Sequence, residues 1–252
     1  MPNLNDFFPL RNTIQKITPD DHKQHMHYLE AVKAFSRITY KSIYVIDYQK
    51  KQFEFVSENP SFLGEHSAEM IKEMGYAFYF KYVPPRDLEL LARIHVAGFD
   101  FYEQVPEEER KQYTISYDFH INNMRGKPLL IHQKVTPLFL TSQGKIWKSV
   151  CVVSLSSEKE PGNVKIVKEG DTRIYNYDLP GNFWKANDLK KLNDRERHIV
   201  LLSAKGYTIN QIAEFLFLSP ETIKFHRKKL FEKLKVTNIS EAIIHVTNNK
   251  LI

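Results

Sequence analysis

Residues 220–235 read Pro-Glu-Thr-Ile-Lys-Phe-His-Arg-Lys-Lys-Leu-Phe-Glu-Lys-Leu-Lys, and six of these sixteen are Lys or Arg against two Glu. At helical spacing Ile223, Leu230 and Leu234 fall on one side with His226 and Arg227 near them, while Lys224, Phe225, Lys228 and Glu232 project from another. One face packs and the other offers cationic donors. Such groups attract phosphates on both sides of a groove. Lysine also donates to guanine O6 or N7, and a phenyl ring suits a thymine methyl. A basic helix by itself describes many solvated surfaces, so its meaning depends on what precedes it.

What precedes it is a series of helix starts. Asn193-Asp194-Arg195-Glu196 puts a capping residue three positions before a glutamate, and the apolar positions through Leu202 end at Gly206, which predicts one helix. Thr208-Ile209-Asn210-Gln211 repeats the pattern for a short second helix that buries Ile212, Ala213 and Leu216. Ser219 then caps, Pro220 takes the first helical position and Glu221 lies in the positive first turn, so a third helix starts near 220. A fourth, about 240 to 248, carries Ala242, Ile243 and Val246 with few charges. That face suits either packing within the chain or pairing with a second copy.

These residues closely resemble the LuxR-type DNA-binding domain, whose pattern runs Leu-Thr-x-Arg-Glu, Gly, Glu-Ile-Ala, Leu-x-Ser-x-x-Thr-Val-Lys-x-His and Lys-Leu. The matches are Leu192, Arg195, Glu196, Gly206, Ile212, Ala213, Leu216, Leu218, Ser219, Thr222, Lys224, His226, Lys233 and Leu234. Asn193 replaces the threonine cap, Gln211 the glutamate and Ile223 the valine. Lys235 replaces the common glycine after Lys-Leu, which bears on how the third helix ends. The resemblance implies a helix-turn-helix whose third helix enters the major groove of double-stranded DNA. It assigns Lys224, Phe225 and Lys228 to positions facing base edges, and Ser219, Thr222, Arg227 and Lys229 to phosphates. It further implies a bacterial transcription regulator, a homodimer at least on DNA, with RNA polymerase as a further partner and the fourth helix pairing domains on adjacent half-sites.

Upstream the pattern is mixed. Residues 24–38 place Tyr28, Leu29, Val32, Phe35 and Ile38 on one helical face, and strand signals at 42–48 and 52–57 flank Gln49-Lys50-Lys51. Ser67 and Gly75 bracket a short helix, Pro84-Pro85 precede a helix over about 86–104, and strands over about 112–122, 128–140 and 145–156 close the region. This order resembles a PAS domain over roughly 36–156. The matching segments are Asn59-Pro60-Ser61-Phe62-Leu63-Gly64 and Tyr82-Val83-Pro84-Pro85-Arg86-Asp87-Leu88, with Val83 in place of the usual histidine. The implied fold is a five-stranded antiparallel sheet with helices on one face.

The expected chain is therefore α+β. It has a PAS-like sensory or dimerising domain with an N-terminal helix at 1–156, a partly ordered linker at 157–188 with short strands around Gly170-Asp171, and an all-α four-helix domain at 189–252. Phe78, Phe80, Phe99, Phe101, Tyr117 and Phe119 are the candidates to line a pocket between sheet and helices. That pocket either holds a small ligand of unknown identity or is filled by side chains. No cofactor is predicted.

A length of 252 residues suits two domains, and 42% hydrophobic with 13% aromatic residues is ample for packed cores. A net charge of +6 favours anionic partners. Apolar runs such as Val150-Cys151-Val152-Val153 fall far short of the roughly 18 residues of a membrane span. The first residues lack the halves of a signal peptide, so a cytoplasmic protein with no membrane partner is expected. The lone Cys151 excludes an internal disulfide and reads as a buried small hydrophobe. Asp21, His22, His25 and His27 cluster, but nothing nearby completes a tetrahedral metal set. Without a Walker loop, dinucleotide fingerprint or nucleophile elbow, an enzyme is not indicated. Two alternatives compete with the regulator reading. One is a response-regulator-like chain with a phosphoacceptor N-terminal domain, for which Asp47 lacks the acidic pair and the alternating parallel pattern. The other is a sigma-factor-like promoter-recognition protein.

Overall fold

Period-two alternation makes the long extended segments two-faced, and they pair into one sheet. The computed structural model describes residues 2–19, 21, 28–59, 62–188, 191–249 and 251. Its strands are β1 (Ser42–Asp47), β2 (Gln52–Val56), β3 (Tyr113–Asn122), β4 (Pro128–Leu140), β5 (Ile146–Leu155), β6 (Gly162–Lys168), β7 (Arg173–Asp178) and β8 (Phe183–Asp188). They run in the order β2-β1-β5-β4-β3-β6-β7-β8, with every pairing antiparallel. The register aligns Tyr44, Cys151, Val135, Ile115, Ile166 and Tyr175 in one row across the sheet, on the face that carries the main core.

Among the described residues this unit's α-helices include α1 (Tyr28–Ile38), α2 (Ala68–Met74), α3 (Ala77–Tyr82) and α4 (Pro85–Gln104). Ser67 starts α2 by accepting the Met70 N–H, and Gly75 stops it at a positive φ of +53° that favours glycine. Pro85 opens α4, which buries Leu88, Leu91, Ile94, Phe99 and Tyr102. A Cβ at Gly98 would lie 3.0 Å from Ile115 Cδ1, so glycine there lets α4 approach β3. By contrast α1 is amphipathic yet buries none of its residues, and Phe35 and Ile38 are exposed. Of the sequence cluster near it, Asp21 is buried and accepts the N–H groups of Thr18 and Ser142, while His22, His25 and His27 lie outside the described residues.

The sheet has eight strands where five were expected. The segment read as a linker supplies the other three. β6 pairs with β3 and buries Val164 and Ile166, so the β3 edge is not left open. Phe101 of α4 packs its ring against Tyr175 at 5.1 Å and Trp184 at 5.3 Å, which covers the extension. Pro161-Gly162-Asn163 has the composition of a linker. In the fold, Gly162 (φ +107°) and Asn163 (φ +49°) use left-handed backbone at the entry to β6. A receiver domain needs a parallel sheet, whereas these pairings are all antiparallel. Asp47 is buried and accepts the Lys50 N–H at 3.0 Å.

A cavity of about 40 Å³ lies between α4 and the sheet, against His95, Gly98, Phe99 and Tyr102 from the helix, Tyr117 from β3 and Tyr48 just after β1. It has room for roughly three water molecules. Only Phe99 and Tyr117 of the expected aromatic lining reach it. Phe78 and Phe119 are core, Phe80 sits against Phe7, and Phe101 turns to β7 and β8. The reason is angular: residues two apart on a helix do not share a face, so Phe99 and Phe101 cannot line one pocket, nor can Phe78 and Phe80. Beside it, Tyr44 Oη lies 2.5 Å from Tyr79 Oη and donates to Gln133 Oε1 at 2.7 Å, and Gln133 Nε2 donates to Tyr117 Oη at 2.8 Å. These buried polar groups satisfy one another. Burial pushes the Cys151 thiol well above its ordinary range, as befits a packed side chain.

The chain's contacts divide it at Asp188, and the second unit, Leu189–Ile252, contains α5 (Asp194–Ala204), α6 (Ile209–Phe215), α7 (Pro220–Leu234) and α8 (Ile239–Asn248). Among the described residues no helix is long and apolar enough to cross a membrane.

Candidate nucleic-acid interface

Each helix of the second unit starts on a local device. Asn193 Oδ1 accepts the Glu196 N–H at 2.8 Å while Glu196 Oε2 accepts the Asn193 N–H at 2.9 Å, a reciprocal capping box. Thr208 and Gln211 do the same for α6. Ser219 Oγ accepts the Thr222 N–H at 3.1 Å, with Pro220 in the first turn of α7. Between α6 and α7 the chain turns through Phe217, which has φ +54° and a ring 95% exposed.

Two small cores hold α7. Ile223 packs with Ile199, Leu202, Ile212 and Ala213, and Leu230 and Leu234 pack with Leu192, Val200, Ala242 and Val246. Fully burying side chains of this size stabilises by about 1.5–3 kcal/mol each. Glu196 adds a polar tie: besides its capping role it pairs with Lys233 Nζ at 2.6 Å, linking the start of α5 to the end of α7. The helix ends at Lys235, which stands in the left-handed region at φ 58°, ψ 41°. A glycine there would adopt that conformation without strain.

With the Ile223–Leu230 ridge buried, a rotation of 100° per residue aims Glu221, Phe225, Lys228 and Glu232 directly away from it. Lys224, Phe225, Lys228, Lys229 and Ser219 are exposed, whereas Thr222 and Arg227 are half-buried. Lys229 Nζ lies 4.5 Å from the Phe225 ring centroid and Arg227 Cζ 5.7 Å from that of Phe231. Each aromatic thereby fixes a cation beside it. Burial lowers the Arg227 guanidinium from its ordinary value. Thus α7 displays Lys224, Phe225, Lys228 and Lys229 together on its outer side, Ser219 and Thr222 at its start, and Arg227 at the margin. The arrangement presents cations and hydroxyls along one rigid helix, a surface suited to a polyanion. The sequence reading missed Glu221. It sits on the same stripe and its carboxylate meets Lys224 Nζ at 2.7 Å, a contact signalled only by the i, i+3 spacing.

Residues 190–246 match the family described as bacterial regulatory proteins, luxR family. The chain is 40% identical over 63 residues to a probable transcriptional regulatory protein, SgaR, of Hyphomicrobium methylovorum, covering 25% of this chain and 30% of that protein. It is 34% identical over 68 residues to the response regulator VraR of Staphylococcus aureus, covering 27% and 32% respectively. The chain therefore spans under a third of the length of these curated relatives. Among solved structures, a Vibrio cholerae VqmA dimer, described as a LuxR-type receptor without its target DNA, overlaps 88% of each chain at 16% identity and a TM-score of 0.30. A PAS domain from Colwellia psychrerythraea overlaps 51% of this chain and 95% of its own at 14% identity and a TM-score of 0.37.

Proposed function

Because residues 190–246 are a LuxR-type helix-turn-helix domain, we propose that the chain is a sequence-specific, DNA-binding transcription regulator that lays α7 in the major groove. The observation that carries this is the exposure of Lys224, Lys228 and Lys229 on the outer side of a helix whose apolar ridge is anchored in two cores. Lys224, Phe225 and Lys228 face base edges in this reading, and Ser219, Thr222, Arg227 and Lys229 hold phosphates. A two-fold dimer doubles those contacts and sets a half-site spacing. The protein works in the cytoplasm as a binder and not an enzyme, with RNA polymerase as the downstream partner. The first unit is its regulatory part, sensing a small ligand or dimerising through its sheet and helices.

Titrating the full chain against duplexes at several salt concentrations tests the reading. Lys228→Ala should weaken selected duplexes by about 1–3 kcal/mol with a change in base preference. Lys229→Ala should weaken all duplexes alike and make the slope of log K against log salt shallower by about 0.9 per domain. Unchanged binding in both variants removes α7 from the reading role.

A further inference from the structure

We propose that Glu221 and Lys224 act as one unit that reads a single G·C base pair: Lys224 donates to guanine O6 and N7 while Glu221 accepts from the exocyclic amine of the paired cytosine. This rests on the reading that α7 enters the major groove.

Three observations carry it. Glu221 lies in the first turn of α7, and Ile223 and Leu230, on the opposite side of the helix, are fully buried, so the carboxylate projects outward where base edges would lie. Its Oε1 stands 2.7 Å from Lys224 Nζ, with the two side chains 78% and 56% exposed. One acceptor and one cationic donor are thus held side by side at the tip of the helix. That spacing is close to the roughly 2.9 Å between a paired amine nitrogen and carbonyl oxygen, so the pair presents the complement of a base-pair edge.

Chemistry then selects the base pair. A carboxylate has no donor and is repelled by phosphate, so in the major groove it can engage only the cytosine N4 or adenine N6 amines. Guanine offers N7 and O6 side by side, which suits an ammonium adjacent to the acceptor. In an A·T pair the adenine amine separates N7 from thymine O4, and the thymine methyl crowds O4. G·C is the better complement. The positive end of α7 stabilises the carboxylate there, which offsets its repulsion by the DNA backbone.

The test uses the full chain. Duplexes are selected from a randomised pool by the wild type, E221A, E221Q and K224A, and the chosen site is then varied one base pair at a time in titrations. The wild type should select a G·C pair at one position of each half-site and lose about tenfold or more when it is changed. E221A and K224A should both flatten the preference at that same position and leave the others intact. E221Q, whose amide pairs with adenine, should broaden it to accept A·T. The proposal is overturned if E221A leaves every base preference unchanged, if it only tightens binding to all duplexes equally, or if the shared position proves to be A·T. If the wild type selects no sequence the proposal also fails, and Lys228→Ala then tells whether the groove-binding reading fails with it.

Discussion

Glu196 is a polar residue whose removal should be felt at both ends of the helix-turn-helix, because one carboxylate serves two distant helix ends. Glu196→Ala deletes the acceptor for the Asn193 N–H and leaves Lys233, its side chain 30% exposed, without this partner. Loss of a capping contact costs about 1 kcal/mol and loss of a partly buried charged hydrogen bond about 1–2 kcal/mol, so about 2–3 kcal/mol in all. A unit of roughly sixty residues commands only about 3–9 kcal/mol. Its thermal midpoint should therefore fall by about 10–20 °C. The chain contains its own control: both tryptophans, Trp147 and Trp184, lie in the first unit. Circular dichroism of the full chain should show the part of the helical signal that belongs to the second unit melting at a lower temperature, while the tryptophan fluorescence transition and the helical signal of the first unit that melts with it stay. Glu196→Gln, which keeps an acceptor but not the charge, should show about half the loss. A helical transition within about 2 °C of the wild type, or both transitions moving together, would refute this account of how α7 is held.

Lys235→Gly should stabilise the same unit by about 0.5–1 kcal/mol, because it relieves a left-handed lysine at the end of α7; a lowered helical transition contradicts this. His95 gives a pH dependence: burial lowers it from 6.5 to about 4, although its Nδ1 lies 3.1 Å from the Phe7 carbonyl oxygen. The folded first unit therefore binds fewer protons than the unfolded chain between those values, so its stability is full above about pH 6.5 and is lost as pH falls toward 4. The slope should approach 1 kcal/mol per pH unit, with His66 shifted in the same direction. Urea midpoints of tryptophan fluorescence should fall from pH 7 to pH 5, and less so in His95→Gln; equal falls in both proteins exclude His95 as the cause.

Much of this architecture is legible in the sequence where the signal is local. Asn193, Thr208 and Ser219 each announce a helix by a contact with a residue three positions on, and those starts appear where expected. The alternation in β3, β4 and β5 places their ends within a residue of the expected bounds. What escaped depends on partners remote in the chain. Val164 and Ile166 have the pattern of a strand, but only pairing with β3 makes β6 part of the sheet. The pocket aromatics were grouped by type, and the helical angle between Phe99 and Phe101 sends them to different neighbours. Glu221 was assigned to the helix dipole alone, since composition does not say that its head meets Lys224.

The placement of β1 between β2 and β5 has a consequence for synthesis. Tyr44 pairs with Cys151, so β1 waits about a hundred residues for β5. At about 5–20 residues per second the wait lasts about 5–20 s. Meanwhile Ile43, Tyr44, Val45 and Ile46, all buried in the finished sheet, have only the β2 hairpin for company, and an isolated hairpin is marginal in water. The helical unit emerges after the sheet and folds on local contacts, which is fast. The ribosome delivers the slow part first, and a nascent chain that ends before residue 146 offers chaperones an apolar strand with one open edge.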